Sequence, residues 1–191
     1  MSEKSQLMLM AEYNQLMNQR IFEASSNLSD EILNEDKGAF FKSILMTLNH
    51  IMIGDILWLK RFSEHPGNYT SLKQINDFTQ PERLDQILFN DLNLLYKERK
   101  KLDEIIIDFC NELKEEDISN PLNYTNFKKE IHCKNFGYLI LHVFLHQIHH
   151  RGQVTTLLSQ EGIDFGDTDI PEIVPDETGI TNKVQEINIG D

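Results

Sequence analysis

Residues 135–162 read NFGYLILHVFLHQIHHRGQVTTLLSQEG. Asn135 offers an N-cap oxygen and Gly162 suits the left-handed residue that follows a helix. The apolar residues between them recur at helical spacing, so the stretch reads as one long helix. It also holds His142, His146, His149 and His150, out of seven histidines in 191 residues.

Three further segments carry the helical period. The first spans about 3–28 and stacks Leu7, Met10, Asn14, Met17, Asn18 and Ile21 on one face. Turn chemistry follows, with Ser29 placed to cap a short helical turn. The second helix spans about 38–64 and stops before Pro66-Gly67. The third opens near Pro81-Glu82, where proline suits a first turn, and runs to about Leu113. Between 115 and 134, PLNYTN and KEIHCK can pair as a small hairpin. Four amphipathic helices of about 25 residues, each ~38 Å long, bury their stripes most simply as a bundle. The expected fold is therefore all-α: a four-helix bundle over residues 1–165 with long connections. Residues 166–191 form an extended C-terminal tail whose last dozen residues are expected to be mobile. Because the connections are long, helix order is left open.

Composition narrows the function. A net charge of −13 argues against nucleic acid, whose binding needs clustered Lys and Arg. The basic run KERKK (97–101) is interleaved with leucines and reads as a solvated helix face. Cys110 and Cys133 have no CxxC spacing, which excludes a zinc ribbon or a redox pair. There is no basic leader and no apolar run near ~18 residues, so the expectation is a cytoplasmic protein that does not enter a membrane.

The histidines point to a metal. His142, His146 and His150 recur every four residues and share a helix face with Leu139, Gln153 and Leu157. Several imidazoles on one inward stripe would each need an acceptor, and an unpaired buried polar group costs ~1–3 kcal/mol. A divalent cation satisfies them together, since an i, i+4 pair can place two nitrogens on one ion. His142 and His150 lie ~12 Å apart along the axis and cannot share it. The third ligand must come from another helix, and His50 in LMTLNHIMIGDILWL is the candidate. The second helix centres on residue 51 and the fourth on 148, between His146 and His150, so matching depth selects His50, His146 and His150. Gly54 leaves room beside His50. His142 then becomes pocket wall, His149 and Gln153 support, and Asn14 a residue able to reach the site. His65 and His132 read as surface residues, Arg151 and Trp58 as structural. HExxH and Glu-x-x-His are both absent, which removes the usual metalloprotease base and the di-iron carboxylate bundle.

The stretches YNQLMNQRIF (13–22), ILMTLNHIMIGDILWLKRF (44–62) and LHVFLHQIHHRGQVTTLLSQEGIDFGDTD (141–169) resemble the DinB family of the DinB/YfiT-like metalloenzymes. The resemblance implies a four-helix bundle, often a homodimer, with zinc or nickel on three histidines that fall at His50, His146 and His150. It also implies kinship with transferases and isomerases that use low-molecular-weight thiols, and a name rooted in DNA-damage induction. The function expected is metal-dependent activation of a thiol, for S-transfer to an electrophile, or of water, acting on a small-molecule substrate. A non-catalytic metal-binding stress-response protein is the alternative.

Overall fold

Each of the four apolar stripes becomes a helix, and each helix starts at a side-chain cap. A computed structural model describes residues 2–174. Helix α1 (Glu3–Ser25) is capped by Ser2, α3 (Ile44–Phe62) by Ser43, α4 (Leu92–Glu112) by Asp91 and α6 (Phe136–Gln160) by Asn135. Each capping oxygen accepts an otherwise orphaned backbone N–H three residues on. Two short helices, α2 (Asp30–Asn34) and α5 (Glu115–Ile118), sit in the connections. After α6, Gly162 takes φ +72° and Ile163 N donates to Leu158 O at 3.0 Å, closing the helix as its glycine foretold.

The fold is all-α apart from one hairpin, β1 (Pro121–Thr125) with β2 (Ile131–Asn135), antiparallel with Pro121 opposite Asn135. It lies where the sequence placed it. Helix α6 packs against α1 on one side and α3 on the other, and α4 packs mainly on α1. Beyond α6 the chain runs over α1, where Tyr13 donates to Thr168 O at 2.6 Å and Arg20 pairs with Glu172 at 2.9 Å. The mobility expected of the last dozen residues falls outside the described residues. Among the described residues no helix is long and apolar enough to cross a membrane.

Two helix starts differ from the sequence reading. Helix α3 begins at Ile44, not near residue 38, because Gly38 (φ +71°) and Lys42 (φ +63°) form a tight turn before the Ser43 cap. Helix α4 begins at Leu92, not near Pro81, because Asn49 captures the chain ahead of it. Asn49 Oδ1 accepts from Leu88 N (2.8 Å) and Phe89 N (3.0 Å), and its Nδ2 donates to Leu45 O and Phe89 O, both at 2.9 Å. His65 is buried, not on the surface. The turn after α3 folds its ring onto Phe136 (centroids 4.3 Å apart), and its Nδ1 accepts from Gly67 N.

The core has a polar centre to which all four long helices contribute. Arg99, read above as part of a solvated face, is 1% exposed. It occupies the apolar stripe Leu92, Leu95, Arg99, Leu102, Ile106, where heptad spacing turns it inward. There it pairs with Asp55 and, at 2.8 Å, with Asp103. Asn18 Nδ2 donates to Asp103 at 2.9 Å and to Gln147 Oε1 at 3.2 Å. Arg151 donates to Asn14, to Asn18 Oδ1 (3.2 Å) and to Gln147 Oε1 (3.1 Å). Two arginines and two aspartates balance in charge. Burial raises the Asp55 and Asp103 carboxyl pKa values, and the Arg99 guanidinium opposes that rise.

Removing one member of a buried ion network strands the others, at a cost of ~3–5 kcal/mol. Arg99→Met should lose about that much in urea unfolding at pH 7. It should lose less at pH 5, where the two stranded carboxyls take up protons. A loss below ~1 kcal/mol at pH 7 would show that the network does not hold the helices together.

Candidate metal centre

Four residues advance an α-helix by ~400°, so each step along His142, His146 and His150 turns the ring ~40° further round. The row therefore spirals from surface to core instead of pointing uniformly inward. His142 is exposed, His146 half-buried and His150 buried. The fully buried face of α6 belongs to Val143, Phe144, Gln147, Arg151 and Val154. The histidines lie on its edge, against α3. There His50, His146 and His150 each bring a ring nitrogen within 4.8 Å of the other two. His50 Nε2 and His146 Nε2 are 3.1 Å apart.

Neighbouring groups fix the rings. His50 Nδ1 is 2.8 Å from Leu84 O; a carbonyl only accepts, so Nδ1 carries the proton and Nε2 presents a lone pair. Asn49 holds Leu84 there by anchoring Leu88 and Phe89 a few residues on. His150 Nδ1 lies 2.8 Å from Gln153 Oε1, and Gln153 Nε2 lies 3.4 Å from His149 Nε2. Gln153 thus links His149 to His150. Phe41, carried by the turn before α3, stacks on His50 with centroids 3.7 Å apart and meets His150 edge-on at 5.5 Å. Gly54 makes room for the third ring: a Cβ there would lie 2.7 Å from His146 Cε1.

Asn14 is not part of this arrangement. Its side chain bonds Arg151 in the core, on the other side of α6. His142 lines the cleft beside His146, with centroids 5.9 Å apart, and its ring meets Trp58 edge-on at 5.2 Å. Phe41, Asn49 and the Leu84 carbonyl escaped sequence reasoning, because a backbone carbonyl leaves no mark in the residue types.

The DinB family model matches residues 1–177. The chain belongs to the DinB family. It is similar to Protein DinB of Bacillus subtilis (strain 168), 29% identical over 163 residues that cover 83% of this chain and 87% of that protein. No solved structure matches. Family membership and the three-histidine cluster are together compatible with metal binding.

The electrostatics of this DinB-family site favour neutral imidazoles. Burial lowers the His50 pKa, with the Leu84 carbonyl opposing, and lowers that of His150, with Gln153 opposing. His146 is pushed down to about 3, first by burial and then by His150 and its other imidazole neighbours. His142 is lowered by burial and by the charges of Arg61 and Lys134. A cleft of about 330 Å³ opens from His50 and His146, walled by Leu57, Trp58, Leu84 and Phe127, with Arg61 on its rim.

An imidazole that titrates near 6.5 when unfolded and near 3 when folded binds fewer protons in the folded state between those values. Its contribution to stability is complete above pH ~6.5 and is lost as pH falls towards 3. In chelator, the unfolding free energy should therefore fall with pH through this window. His146→Gln should flatten the slope by up to one proton, ~1.4 kcal/mol per pH unit. An unchanged slope would mean that His146 titrates normally.

Proposed function

We propose that the chain is a metal-dependent enzyme that holds one divalent ion, zinc or nickel, on Nε2 of His50, His146 and His150. The observation that carries this is the fate of the other nitrogens. His50 and His150 each spend Nδ1 on an oxygen acceptor, the supporting bond typical of metal-ligating histidines. The remaining nitrogen of His50, Nε2, faces His146, and one ring nitrogen of His150 lies within 4.8 Å of the cluster's other two. Two donors on one tetrahedral zinc, each ~2.0–2.1 Å from it, stand about 3.4 Å apart, close to the 3.1 Å between His50 and His146. All-imidazole donors suit zinc and nickel better than magnesium or calcium.

A divalent ion bound by only three protein ligands supplies Lewis acidity, lowering the pKa of a thiol or water that approaches from the cleft. The chain's own residues do the rest. Leu57, Leu84 and Phe127 keep the approach apolar, Phe41 covers His50 and His150, and His142 stands neutral beside His146, able to take a proton. Neither cysteine lines the cleft. Cys110 is buried with its thiol pushed up to about 12, and Cys133 is exposed on the hairpin. We therefore read the reaction as S-transfer from a small thiol: a carbon–sulfur bond forms, the electrophile's leaving group departs with its electron pair, and the thiol proton passes to His142 or solvent. Hydrolysis is the nearest variant.

The reading extends to a cytoplasmic homodimer. Two free cysteines suit a reducing compartment, and α6 leaves Tyr138, Leu141, Leu145 and Ile148 exposed along one outward face. The alternative, a non-catalytic metal-binding stress-response protein, draws on Phe41 covering the cluster.

Metal-loaded protein should consume thiol with a generic electrophile faster than His146→Ala. Equal rates would sink the transferase reading and leave the alternative. Gly54→Ala should keep its helix content but lose about 10- to 100-fold in metal affinity, because its methyl displaces the His146 ring. Unchanged affinity would place the metal elsewhere.

A further inference from the structure

The cleft does not end at the histidines. Leu57, Arg61 and Phe127 also line a second hollow of about 220 Å³ that extends towards Lys60, Gln80 and Asn126. Arg61 stands where the two meet. Its guanidinium lies 4.6 Å over the Trp58 ring and 5.3 Å over Tyr124, so aromatic faces fix its position and its N–H edges stay unspent. Among the described residues it makes no ion pair or hydrogen bond; Glu64, one turn on, borders the second hollow and stays beyond salt-bridge reach. No carboxylate lines the histidine cleft. A half-buried guanidinium on an apolar cleft has given up water, Glu64 acts on it only from a distance, and its planar fork matches a carboxylate.

The spacing defines what would fit. His146 packs against Gly54, seven residues before Arg61, which is ~10 Å along the axis of α3. Leu57, Trp58 and Phe127 make the intervening wall apolar or aromatic. We propose that Arg61 binds the carboxylate of an extended small molecule whose other end reaches the histidine cluster. The identity of that reactive end rests on the metal reading above; the carboxylate contact does not. The ligand class is an anion with an apolar middle, long enough to span about two turns of α3.

Trp58 is the chain's single tryptophan and touches Arg61, so its fluorescence reports occupancy. The probes are ω-mercaptohexanoate and ω-mercaptohexanol, which differ only in the end group. Metal-loaded protein should bind the carboxylate about 10-fold or more tightly than the alcohol, as a charge-assisted contact requires. Arg61→Gln should bring the two within about twofold with metal content unchanged, and Arg61→Lys should restore part of the preference. Equal binding of both probes by the native protein, or a preference that survives Arg61→Gln, overturns the proposal. Hexanoate against hexanol in chelator separates it from the metal reading. A hexanoate preference lost in Arg61→Gln upholds the subsite even if no metal is held, and no preference there overturns it.

Discussion

One proton governs the site: the Nδ1–H of His50, which points at the carbonyl of Leu84. That bond turns the Nε2 lone pair towards His146, and it exists because the neighbouring Asn49 spends both ends of its amide on Leu45, Leu88 and Phe89. Two consecutive side chains of α3 thus reach the same connection. One fixes where the chain runs, and the other reads its carbonyl. The cost is helix: fixed in this way, the chain begins α4 only at Leu92. A segment that looks like mere linker becomes a wall of the cleft and sets the tautomer.

Helix α6 divides its work by angle. Gln147 and Arg151 point into the polar network that joins all four long helices, while His146 and His150 turn ~100° away towards α3. The network supplies rigidity that the histidine cluster does not supply for itself. Neutral imidazoles clustered in a half-buried cleft gain little from one another, so the packing around them must keep them together. Phe41 on His50, Gly54 under His146 and Gln153 on His150 perform that task, each acting on a different ring.

Periodicity exposed the helices and the histidine row, and matching helix depth put His50 level with His146 and His150, where their ring nitrogens come within 4.8 Å of one another. The later start of α3 disturbs that match little, because an error at one end moves a helix centre by only half as much. The spiral of the row was legible in principle from the 40° drift, and Arg99 from its heptad position among leucines. Both were outweighed by composition, which makes a histidine stripe look uniform and a basic run look solvated. Asn14 looked close to the site because it lies on an inward face, but facing inward does not say which neighbour lies across. Phe41 and Leu84 were out of reach: their roles depend on turns at positive φ and on an amide anchor, which follow no period.

The central claim is that His50, His146 and His150 act as one ligand set, and elemental analysis tests it most directly. The protein should be purified from one metal-replete culture beside His50→Ala and His142→Ala variants. About one zinc or nickel per chain is expected in the native protein and in His142→Ala, against little in His50→Ala, since a catalytic-type site rests on three protein ligands. Equal metal in the native and His50→Ala proteins would contradict the account.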